Sequence, residues 1–90
     1  MTAADDGKDI LAKLSERFRA RCGDDLAILE QGPDGENFAY CIHRLAGSAG
    51  TFGFADISRC ASQIDEHLRR KEPLKPEELD QLINLVRAIV

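Results

Sequence analysis

The residue with the clearest chemical potential is His43, because its neighbours at helical spacing carry almost no side chain. Residues three, four and seven positions apart share one helix face, which places Ala39, Ala46, Gly47 and Gly50 around the imidazole. A neutral imidazole is a nucleophile at neutral pH. A helical glycine costs about 1 kcal/mol relative to alanine, so helix stability does not explain this face. The pattern predicts an accessible histidine on which a large partner can dock.

The elements that must position His43 are helices, since apolar residues repeat at helical spacing throughout and no stretch alternates like a strand. We expect one helix over 8–31, a second from about Glu36, a third after Phe54 and a fourth from Pro76. Gly and Pro residues in QGPDGEN and KEPLKPEE separate them. The pattern predicts an all-α, up-and-down antiparallel four-helix bundle over 8–90. Residues 1–7 are expected to form a flexible lead-in, and the long first helix is expected to project past the others.

The periodicity also predicts the direction of His43. The apolar stripe of the second helix is centred on Cys41, Ile42 and Leu45. At about 100° of rotation per residue, His43 lies roughly 150° from that centre and faces solvent. The second histidine of the chain, at position 67, is not surrounded by small residues as His43 is, and we predict no function for it. Gly53 is expected to end the second helix.

Composition excludes several classes of function. The net charge of −4 argues against nucleic acid, and no apolar run approaches the roughly 20 residues that cross a bilayer. The three cysteines, at positions 22, 41 and 60, form no close pairs. This spacing predicts core packing in a reducing cytoplasm rather than disulfides or a zinc site. No P-loop for a nucleotide occurs.

The stretch HRLAGSAGTFGF resembles the H-x-[LI]-K-G-x-x-[GA]-x-x-G signature of histidine phosphotransfer (HPt) domains. Its GSAGTFGF part is similar to the phosphotransfer domain of bacterial chemotaxis kinases. The resemblance implies a four-helix bundle and a non-enzymatic, cytoplasmic, bacterial phosphorelay protein whose His43 accepts a phosphoryl group. The expected partners are receiver domains and a histidine kinase or hybrid kinase. Mg²⁺ is expected on the receiver, with no metal or cofactor in this chain, which is expected to be a monomer.

One residue departs from the signature, since Ala46 stands where the family usually has a lysine. The resemblance implies that this lysine supplies positive charge to the phosphorylated state or to docking. Arg44 and Arg59 are the alternative sources of charge. Asp65 occupies the position where chemotaxis-type domains carry a glutamate hydrogen-bonded to the histidine, and a carboxylate there would fix the imidazole tautomer.

The docking surface predicted from these patterns comprises Ala39, Arg44, Ala46, Gly47 and Gly50. Two other classes of function stay open at this point. The chain could be a non-phosphorylated adaptor that docks receiver or kinase domains, for which Ala46 is the hint. A metal hydrolase is the second alternative, but His43 has no further ligand at i+3 or i+4. The initial Met and the compact ending favour a free-standing protein over a piece of a larger kinase.

Overall fold

The computed structural model describes residues 3–90, with side chains from Ile10 onward, and contains four α-helices with no strand in that range. The helices are α1 (Ala3–Gln31), α2 (Phe38–Ser48), α3 (Ala55–Arg69) and α4 (Pro76–Arg87). The all-α prediction is therefore confirmed. The start predicted for the first helix was wrong, since α1 begins at Ala3 and includes most of the predicted lead-in. Met1 and Thr2 lie outside the described residues, and the flexibility of the lead-in stays a prediction.

The helix that carries His43 is shorter at both ends than predicted. It begins at Phe38 rather than Glu36, and after Ser48 the chain passes into a 3-10 turn, Gly50–Phe52. Gly53 ends this turn with φ of 89°, a left-handed conformation that glycine adopts without a steric cost. The turn brings Phe52 and Phe54 against Phe18 of α1, with both ring centroids 5.3 Å from that of Phe18. These aromatic contacts hold the turn against α1.

The core lies between the helices, and α2 packs most extensively against α3. Contacts also join α1 to α2, α3 to α4 and α1 to α4, as in a bundle; the up-and-down antiparallel order stays a prediction. The buried apolar residues are Phe18, Cys22, Leu29, Phe38, Cys41, Ile42, Leu45, Ala49, Ile57, Cys60, Ala61, Ile64, Leu82 and Val86. All three cysteines are free and buried, which confirms their predicted place in the core.

The long first helix extends beyond this core. Ile10 and Leu11, which share the apolar stripe of α1, are each 59% exposed, because no other helix covers that end. The predicted projection of α1 is therefore confirmed. Within the described part of the chain, none of the helices combines the length and apolar character needed to cross a membrane.

Candidate functional site

His43 lies on the outer face of α2, with 75% of its side chain exposed. Cys41, Ile42 and Leu45 point the other way and are buried in the core. The outward direction predicted from the helical period is confirmed, because the apolar residues of α2 hold this orientation by packing against α3. A nucleophile at this position is open to a protein partner.

Asp65 of α3 lies beside the imidazole. Its Oδ2 is 3.4 Å from Nδ1 of His43, and the Asp65 side chain is 14% exposed. With its proton on Nδ1, the ring donates to this carboxylate and keeps a lone pair on Nε2. No hydrogen bond to Nε2 is found among residues 10–90, whose side chains are described. The structure thus brings together the two residues that the resemblance pairs.

The surface around His43 is bare at Gly47 but differs from the prediction at Gly50. A Cβ atom added at Gly47 would meet no atom within 4 Å. Gly50 follows α2 in the 3-10 turn, and a Cβ there would lie 3.4 Å from Oγ of Ser58 on α3. The same hydroxyl donates a 2.8 Å hydrogen bond to the carbonyl of Ala46, which is half-buried. The cleared face therefore centres on Gly47, with exposed Ala39 one turn before His43.

Arg44, a predicted charge partner and docking residue, points away from His43. Its guanidinium forms an ion pair with Asp25 of α1, and its Cζ lies 5.9 Å from the ring centroid of Tyr40. Burial raises the pKa of Asp25 despite the opposing effect of this guanidinium. A buried carboxylate needs its partner more than an exposed one does, so Arg44 is held against α1.

Arg59, the other predicted charge partner, is not brought to His43 either. It pairs with Asp56 on its own helix at 3.8 Å. It also lines a groove between α3 and α4 with Gln63, Gln81 and other residues, whereas Asp65 marks the side of α3 that faces His43. Neither predicted arginine therefore supplies charge to the imidazole in this structure.

Two residues that the sequence analysis missed border the site. Arg69 is one turn after Asp65 on α3, with its Nε 3.6 Å from the same Oδ2 and 71% of its side chain exposed. Tyr40, one turn before His43, is 70% exposed. The i,i+4 spacing of Asp65 and Arg69 and the i,i+3 spacing of Tyr40 and His43 were the available signals.

Comparison with known proteins gives one family. A family model described as "Hpt domain" matches residues 13–90, which is most of the chain. No curated protein matches the chain, and no solved structure does. The family match covers α2, α3 and α4 entirely, and with them His43 and Asp65.

Proposed function

We propose that this chain, which belongs to the Hpt domain family, is a phosphorelay intermediate that carries a phosphoryl group on His43. Hpt domains are phosphotransfer carriers in phosphorelays rather than catalysts. The observation that carries the assignment to this residue is an exposed imidazole with Asp65 at Nδ1 and open space at Gly47. The other histidine, His67, is only 28% exposed and has Glu72 beside Nδ1 and Glu78 beside Nε2, so its ring is less accessible and its Nε2 is not free.

The transfer step uses the lone pair of His43 Nε2, which attacks the phosphorus of an aspartyl phosphate on a receiver domain. The N–P bond forms as the bond from phosphorus to the aspartate oxygen breaks, and that carboxylate leaves with the electron pair. The ring keeps its Nδ1 proton and so carries a positive charge, which the Asp65 carboxylate stabilises. When the group passes to another aspartate, the N–P bond breaks and its electron pair returns to Nε2.

In this proposal the partner proteins supply the Mg²⁺ ion and the phosphoryl group. Phosphoryl transfer depends mainly on positioning and on stabilisation of charge, and a receiver domain is proposed to bring Mg²⁺ to the phosphoryl oxygens. A histidine kinase or hybrid kinase is the proposed source of phosphate. The proposed setting is the bacterial cytoplasm, with the chain acting as a monomer and binding no nucleotide.

The test is a transfer assay in which each receiver domain of the source organism is first phosphorylated by a small, labelled acyl phosphate. We expect label to pass from at least one receiver to the wild type and to His67→Gln, but not to His43→Gln. The label should be acid-labile and base-stable, as a phosphoramidate is. Circular dichroism should show the same helix content in both variants. Label on His43→Gln would place the acceptor elsewhere.

A second candidate, a non-phosphorylated adaptor, is favoured by one observation. Ala46 places no positive charge beside His43, and neither Arg44 nor Arg59 replaces it in the structure. An adaptor would bind a receiver or a kinase without taking label. The same assay separates the two functions, since binding measured by calorimetry with no transfer from any receiver would support the adaptor.

A further inference from the structure

We infer that Arg69 binds the phosphoryl group on His43 and supplies the positive charge that Ala46 does not provide. This inference rests on the proposed function. It adds to that function a residue on α3 that lies outside the HRLAGSAGTFGF signature on α2.

The first support is a shared carboxylate oxygen. Oδ2 of Asp65 lies 3.4 Å from His43 Nδ1 and 3.6 Å from Arg69 Nε. The two nitrogens are therefore no more than about 7 Å apart, which is the sum of the two contacts. Because the Arg69 side chain is 71% exposed, its guanidinium can turn toward the imidazole without disturbing the core.

The second support comes from the pairing of the other arginines near α2 and α3. Arg44 is held by the buried Asp25, and Arg59 lies on the α3–α4 side beside Asp56. Arg70 pairs with Glu66 at 2.7 Å and is rotated by about 100° from Arg69. Of these four, Arg69 alone shares a carboxylate with His43.

Phosphorylation changes what Arg69 can bind. Before transfer, Asp65 is shared between the imidazole and the guanidinium. After transfer, the ring is cationic and binds Asp65 more strongly, while the phosphoryl oxygens add negative charge nearby. The guanidinium then turns from Oδ2 to those oxygens, for which its planar fork of N–H donors is well suited. Arg69 thus lowers the free energy of the phosphorylated state relative to the free state.

The size of the effect follows from distance. The limit of about 7 Å found above refers to Nδ1, whereas the phosphoryl group is bonded to Nε2 at the other edge of the ring. For a guanidinium that has turned to within about 7 Å of the phosphorus, a charge pair in a medium between water and a protein surface changes an equilibrium by about three- to ten-fold. The equilibrium constant between free receiver and free carrier contains only the free energies of the separate phosphorylated and unphosphorylated proteins. A change in docking affinity therefore leaves this constant unchanged.

The experiment measures that equilibrium from the fraction of label on each protein after prolonged mixing with a receiver that labels the wild type. We expect Arg69→Ala to shift label about three- to ten-fold toward the receiver, and Arg69→Lys to remain within about two-fold of the wild type. Arg70→Ala is the matched control, since Arg70 is 66% exposed and also pairs with a carboxylate one turn earlier. It should leave the equilibrium unchanged.

A phosphorus NMR titration measures the second pKa of the phosphoryl group, which would not change if Arg69 only stabilised the fold. Loss of a nearby cation disfavours the dianion, so the second pKa of the phosphoryl group should rise in Arg69→Ala and stay in place in Arg70→Ala. An unchanged equilibrium and an unchanged titration in labelled Arg69→Ala would overturn the inference and leave the proposed function standing. Failure of every receiver to label the wild type would overturn the proposed function itself, and the inference with it.

Discussion

Replacement of Gly47 separates the demands of helix stability from those of access to His43. Gly47 is in α2, a Cβ atom there would meet nothing within 4 Å, and its φ is not in the left-handed region. Alanine therefore fits without strain, and the lower entropy of the unfolded chain should raise the free energy of unfolding by about 0.5–1 kcal/mol. For a domain of this size, that gain raises the Tm by about 2–8 °C.

The matched control is Gly23, a helical glycine of α1 that also has open space at its Cβ position. Gly23→Ala should give a similar rise in Tm. The two sites differ in position, because Gly47 lies one turn from His43 and Gly23 belongs to a helix that lines a different groove, beside Ile89 and Val90. A lower Tm for Gly47→Ala would refute the interpretation that a side chain at position 47 fits without destabilising the unbound protein.

Leucine at the same two positions tests access. We expect Gly47→Leu to reduce the rate of transfer from a phosphorylated receiver at least about ten-fold, because a bulky side chain separates the two protein surfaces. A ten-fold change corresponds to about 1.4 kcal/mol of lost docking or transition-state energy. Gly23→Leu should transfer like the wild type. Phosphoramidate, a small phosphoryl donor that needs no protein docking, should label His43 in both variants. Wild-type transfer by Gly47→Leu would show that the cleared face is not needed.

Two further predictions concern the buried groups behind the site. Arg44→Ala should lower the free energy of unfolding by about 2–4 kcal/mol at pH 7, because it leaves Asp25 buried without its partner. Denaturant titrations should show a smaller loss of unfolding free energy at pH 5, since burial raises the pKa of Asp25 and protonation removes the unpaired charge. A loss of unfolding free energy that grows as the pH falls would contradict this prediction. Burial raises the pKa values of Cys22 and Cys41 to about 11, so a thiol reagent at pH 8 should modify them only after unfolding in urea. The folded state binds these two protons more tightly than the unfolded state, so stability should decline as the pH rises from about 9 to 11; a constant stability over that range would count against it.

The direction of His43 was predictable because it depends only on the helical period. Once Cys41, Ile42 and Leu45 are assigned to the core, the geometry of α2 fixes the side on which residue 43 emerges. The start of α4 at Pro76 was predictable for a similar local reason, since proline suits the first turn of a helix.

The partners of the arginines were not predictable in this way. Arg44 bonds to Asp25, 19 residues earlier, and a helical period gives the direction of a Cβ atom but not the far end of a long side chain. The packing of the 3-10 turn was likewise not predictable from α2 alone, because Phe52 and Phe54 contact Phe18 on another helix. Tertiary contacts of this kind override local propensity.

Identification of the phosphorylated atom tests directly whether His43 carries the phosphoryl group. The histidines are labelled with ¹⁵N, and the protein is phosphorylated by a receiver domain. Phosphorus–nitrogen correlation NMR then shows which nitrogen is bonded to phosphorus. We expect one phosphorylated imidazole, at His43, with phosphorus bonded to Nε2 and the proton on Nδ1 facing Asp65. Phosphorus on Nδ1, on His67 or on no histidine would contradict it.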